Sequence, residues 1–301
     1  MTADDLVIVL TAGLVATACG LLGPFLVLRR VALLGDAVSH AVLPGIVAVF
    51  LLTGSTAPLP IVLGAGAFAL ICVLGIEALR ATGLVAADAA IGLVFAALFA
   101  LGVLGVQRYA DGLHLDLDAT IYGEIAFVPF RTWVLAGVEI AQGTVVAALV
   151  ALADLVFVAA VWKELKATSF DPGFSRSVGI PPKWLGRGLL TMVAVTAVCA
   201  FESVGAILVV TLFIVPAATA FLLTDRLVAM VGISVGIGWL AAGGGYAGAL
   251  AVDGSIAGMM GLVAGACFAV ALAVAPRHGV LARRRHRRRA RARAGLPATA
   301  G

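Results

Sequence analysis

Charge is what this 301-residue chain has least of: Asp, Glu, Lys and Arg together make up 12% of it. A soluble globule needs about 25% charged residues. With 62% hydrophobic residues and a mean hydropathy of +1.15, the shortage excludes a soluble domain, so the chain is a polytopic membrane protein. Cysteine is scarce too. Cys19, Cys72, Cys199 and Cys267 all sit in apolar runs with no CxxC pair. That excludes a disulfide framework or cysteine metal site and leaves them as small buried hydrophobes. No GxxxxGK[ST] occurs, so the chain does not hold ATP through a P-loop, and any ATP dependence comes from a partner. No HExxH occurs either, which removes a zinc-protease arrangement. The start, MTADD, is acidic where a cleavable signal is basic, so Leu6–Leu28 is expected to remain as a span.

What the chain does have is apolar length. Nine segments are long enough, or nearly so, to cross a bilayer: Leu6–Leu28, Val31–Thr53, Leu59–Leu79, Ala89–Val106, Gln142–Trp162, Leu185–Phe201, Val204–Thr224, Met230–Leu250 and Ser255–Ala275. Thr132–Ala141 is expected to form an extra interfacial or re-entrant turn. The expected fold class is all-α, a polytopic helical bundle over residues 1–276, followed by a basic, disordered cytoplasmic tail at 277–301. Orientation follows the basic residues. With the N-terminus outside and the C-terminus inside, eighteen Lys/Arg lie inside, nine of them in Arg277–Arg293, and only Arg108 and Arg131 lie outside.

Intramembrane polar residues are few, so each one counts. Within GDAVSHAVLPG at Gly35–Gly45, Asp36 and His40 are four residues apart and share one helix face. In a helix over Val31–Thr53, His40 lies ~3 Å from the bilayer centre and Asp36 ~9 Å from it. A charge placed centrally costs about 2.5–3.5 kcal/mol and marks a cavity or a partner. A carboxylate oxygen and an imidazole nitrogen on one face also make half of a divalent transition-metal site. The plain alternative is a hydrogen-bonded pair locking two helices. Pro44 follows one turn later and weakens the helix, exposing backbone carbonyls.

Other residues carry weaker signals. Asp154 falls mid-span and is expected to face the bundle interior, as a polar contact or beside a pathway. Pro216 interrupts the seventh span and is expected to kink it. Asp88 opens the fourth span as a helix cap, and Glu77 pairs with Arg80 one turn on. His114, Asp116 and Asp118 alternate in an outer loop; in an extended segment they share one face, forming an acidic entry surface for a cation. The inner loop Lys163–Trp184 brackets a short helical candidate, Phe174–Val178, between prolines. The arginine tail is read as binding anionic lipid rather than nucleic acid.

GDAVSHAVLPG between Arg29-Arg30 and an apolar run resembles the second-helix signature of the metal ABC-transporter permeases of zinc, manganese and iron uptake. HLDLDATIYGEI at His114–Ile125 is similar to that family's outer-loop motif. SFDPGFSRSVGI at Ser169–Ile180 is similar to its ATPase-docking loop, and VGAILVVTLFIVPAATA at Val204–Ala220 to its late proline-containing helix. The resemblance implies a multi-pass subunit in the plasma or inner membrane. It implies three partners: a cytoplasmic ATPase, an extracytoplasmic metal-binding protein and a second permease, identical or not. The metal, zinc or manganese or iron, is cargo, with no permanently bound cofactor. Asp36 and His40 are the expected metal residues, and Asp171, Pro172, Phe174, Arg176 and Gly179 form the coupling loop. The chain itself is expected to be no enzyme. Rival readings are a stand-alone proton-coupled transporter using Asp36, His40 and Asp154 as a relay, a membrane enzyme, and an importer of metal chelates.

Overall fold

The structure, a computed structural model, describes residues 3–31, 33–54, 58–109, 125–135 and 138–275. Nine of the described helices are long and apolar enough to cross a bilayer. They are α1 (Ala3–Leu28), α2 (Leu34–Thr53), α3 (Pro58–Ala81), α4 (Ala87–Tyr109) and α5 (Gln142–Ala160), then α8 (Pro182–Val204), α9 (Ala206–Leu223), α10 (Leu227–Val252) and α11 (Ile256–Val274). Two short helices, α6 (Trp162–Phe170) and α7 (Pro172–Ser177), join α5 to α8. Residues 276–301, with the expected arginine tail, lie outside the described residues.

At one end, residues following α1, ending α3 and starting α8 line a single cavity with α6 and α7; this is the basic end. At the other, Tyr246 near the end of α10 donates to Asp5 at the start of α1 (2.6 Å). α1 is the most enclosed helix, buried along most of Thr11–Leu26 and packed against α5, α9 and α10. Polar ties join these helices in addition to apolar packing. Thr11 and Thr144 share a hydrogen bond of 2.6 Å between α1 and α5, and the Trp239 indole of α10 donates to Thr17 (2.9 Å).

α2 packs mainly on α3 and α4. The helices α2 and α3 approach so closely at Gly45 and Gly64 that a Cβ on Gly45 would overlap the Gly64 carbonyl. Only glycine at this crossing lets two backbones touch.

Two boundaries differ from expectation. α2 begins at Leu34 rather than Val31, because the chain turns at Arg30, which adopts a left-handed φ of 56°. Thr132–Ala141, expected as an interfacial or re-entrant turn, is paired as an antiparallel hairpin, β1 (Thr132–Leu135) with β2 (Val138–Ala141), in register Thr132↔Ala141 to Leu135↔Val138. Runs such as Thr-Trp-Val and Val-Glu-Ile are strand formers too short to fill a helix. Among the described residues, the regular structure is therefore helical apart from this hairpin and a 3₁₀ turn at Ile125–Phe130.

Candidate metal site

Asp36 occupies the first turn of α2, where the helix dipole favours negative charge. His40 follows on the same face, with Nε2 3.6 Å from Asp36 Oδ1. That separation is too long for a hydrogen bond but suits two donors to one ion. With metal–ligand bonds of ~2.0–2.2 Å the pair subtends ~110–130° at the metal, near the tetrahedral angle. The side chains are 43% (His40) and 47% (Asp36) exposed in the single chain, so the donor face is open rather than sealed by apolar neighbours.

The imidazole is held from the side by α4. Phe95 stacks on it (centroids 5.5 Å apart, 28° between planes), and Phe99 meets it edge-on (5.3 Å, 75°). Sequence reading does not single out these phenylalanines. Their four-residue spacing is the only signal, and on an apolar helix it is the spacing of any packed face. Pro44 lacks the N–H that would reach the His40 carbonyl, leaving that oxygen without its usual helical donor. Gly102 of α4 makes room for this proline: a Cβ there would lie 2.9 Å from Pro44 Cδ.

Among the described residues no cluster of three or more His, Cys, Asp or Glu side chains forms. Asp36 and His40 alone offer two donors, and a tetrahedral ion there would need others from a carboxylate, a carbonyl, water or another chain.

Asp154 is elsewhere and fully buried. Thr196 of α8 donates to its Oδ2 (2.8 Å), while Oδ1 has no hydrogen-bond partner among the described groups. The geometry is that of a buried polar tie between α5 and α8. Thr196→Val should leave the carboxyl wholly unpartnered, a cost of about 1–3 kcal/mol. The expected result is a lowered melting temperature in detergent, with Thr196→Ser close to the parent. Pro216 is buried in α9, whose helix continues through it unbroken.

At the basic end, Asp171 caps α7 by accepting from Phe174 N (2.8 Å), and Pro172 fills the first turn. These start signals place the helix at Pro172–Ser177, two residues earlier than the Phe174–Val178 expectation. Gly179 leaves it with φ 81°. Phe174 and Val178 stand exposed, so α7 presents an apolar knob flanked by Arg176. Glu77 and Arg80 pair at 3.5 Å, as their spacing requires, and Asp88 lies exposed in the first turn of α4. His114, Asp116 and Asp118 lie outside the described residues.

Known proteins share this architecture. The chain is 42% identical over 92% of its length to the "Manganese transport system membrane protein MntD" of Bacillus subtilis, covering 94% of that protein. It is likewise 42% identical over 92% of its length to the "Zinc transport system membrane protein TroD" of Treponema pallidum, covering 75% of it. The solved "PsaBC from Streptococcus pneumoniae in complex with Fab" superposes with a TM-score of 0.75 at 28% identity, covering 92% of this chain and 94% of that one. The ABC 3 transport pattern matches residues 6–275, nearly every described residue of the bundle, and the chain is therefore a multi-pass membrane member of the ABC 3 transport family.

Proposed function

We propose that this chain is the membrane-spanning half of an ATP-driven importer for a divalent transition-metal ion, with Asp36 and His40 handing the ion across the bilayer. The observation that carries it is the donor pair 3.6 Å apart on α2, open on one face and braced by Phe95 and Phe99. Zinc and manganese, named for the relatives, both suit a carboxylate–imidazole pair.

Such a half-exposed polar pair is costly against lipid and well placed against a second permease that supplies the remaining donors. The basic end faces the cytoplasm, by the excess of Lys and Arg there. A separate ATPase docks on α7, and an extracytoplasmic metal-binding protein delivers the ion to the opposite end. Closure of the ATPase subunits pushes α7 and switches which side the donor pair opens to. The chain makes and breaks no covalent bond; its residues bind, orient and release the ion.

Reconstitution with the ATPase in liposomes tests this. Uptake of zinc or manganese should require ATP hydrolysis. Uptake that persists without the ATPase and collapses with the proton gradient would instead select a stand-alone transporter. Two further outcomes are expected. Arg176→Glu should weaken co-purification of the ATPase while membrane insertion is unchanged. Joint replacement of His114, Asp116 and Asp118 by alanine or serine should slow uptake at low metal and leave it normal at saturation; an unaltered low-metal rate would reduce that loop to a solvated connection.

A further inference from the structure

The basic end holds a cavity of about 380 Å³ whose lining includes neither Asp36 nor His40. Arg29, Arg30, Arg80, Arg176 and Lys183 line it with a single carboxylate, Glu77. Glu77 is already engaged with Arg80. Arg29 reaches in from the end of α1, donating from Nε to Ser169 Oγ (3.1 Å) and from Nη2 to Thr168 Oγ1 (2.7 Å). Both partners are neutral hydroxyls. No described carboxylate forms an ion pair with Arg29. Burial, the largest influence on its guanidinium, pushes its pKa down; Glu77 opposes this and Arg80 adds to it. Arginine keeps its charge regardless, so a half-buried cation stands in a concave site with an excess of four positive charges.

A desolvated cation is stable only with a counter-charge. We propose that this cavity binds a phosphate-bearing anion, a lipid headgroup or a free phosphate. A single carboxylate from a docked protein offsets one charge, whereas a phosphomonoester carries about −1.5 to −2 and three acceptor oxygens. Guanidinium forks match that geometry bidentately. The lining also includes the apolar side chains Leu28, Val31 and Leu190, so a lipid could rest its phosphate on the arginines and the start of its acyl chains on these residues. The inference does not depend on the metal cargo.

The test uses the full chain in an uncharged detergent, followed by thermal unfolding and native mass spectrometry. One arm titrates inorganic phosphate; the other titrates micelles doped with phosphatidic acid, whose headgroup is a phosphomonoester, against phosphatidylcholine. Saturable binding with a raised melting temperature is expected in at least one arm, and the responding arm identifies the source. Arg30→Gln with Lys183→Gln, both exposed, should weaken it by about tenfold or more, as loss of charge-assisted bonds does. The arginine tail is identical in parent and variant, so equal binding by the two would trace the affinity to the tail and overturn the proposal. Absence of saturable binding in both arms would overturn it too.

Discussion

His40→Ala is expected to abolish ATP-driven metal uptake while the protein still inserts and binds its ATPase. The loss should exceed the ~10–100-fold that removing a supporting contact costs a metal site, because a donor atom itself is gone. Alanine also removes a ring that Phe95 and Phe99 pack against, so His40→Phe separates the two effects. Phenylalanine refills the aromatic slot but carries no nitrogen. If His40 is a ligand, both variants are inactive; if its role is packing, His40→Phe transports normally. Asp36→Asn completes the set by keeping shape and removing charge. Radioactive zinc or manganese uptake into liposomes reads all three, and normal flux in His40→Phe would remove the donor pair from the mechanism.

The second large effect is on folding. Even Gly45→Ala places a methyl group against the Gly64 carbonyl, and Gly45→Leu cannot be accommodated without separating α2 from α3. Overpacking of this kind costs typically 1–3 kcal/mol. More is expected where the obstruction is backbone, since it cannot rotate away. Gly45→Leu should therefore aggregate or be degraded, and Gly45→Ala should melt well below the parent in detergent. Gly66→Ala, two residues past Gly64 and on the other side of α3, is the control: a Cβ there meets nothing within 4 Å, so its melting temperature should stay near the parent's.

The parts of this molecule that sequence reveals are those governed by local spacing. Span length is set by bilayer thickness, so the nine crossings were readable from apolar runs alone. Asp36 and His40 were readable as a pair because one helical turn joins them. The start of α2 was not, because Val31 and Leu33 are apolar and still belong to a turn; hydrophobicity reports the environment, and it was Arg30's backbone that decided the geometry. The strand pairing within Thr132–Ala141 was not readable for a related reason, since a short, mostly apolar stretch beside a span fits an interfacial or re-entrant turn equally well. Phe95 and Thr196 were beyond reach. Each meets its partner across a helix interface, and nothing in the spacing of one helix says which residue of another will face it.

The hairpin also bears on how the bundle sits in the bilayer. Gln142 N donates to the Arg131 carbonyl (2.8 Å), so the first turn of α5 is stitched to the base of β1. Beside that seam Phe127, Phe130 and Trp133 are exposed, and the Trp133 indole is the amphipathic sort of ring that settles at headgroup level. At headgroup level they would act as a float at a fixed waterline. A thicker or thinner membrane must then be accommodated by the opposite ends of the helices, where the charged residues are, and not by this rim.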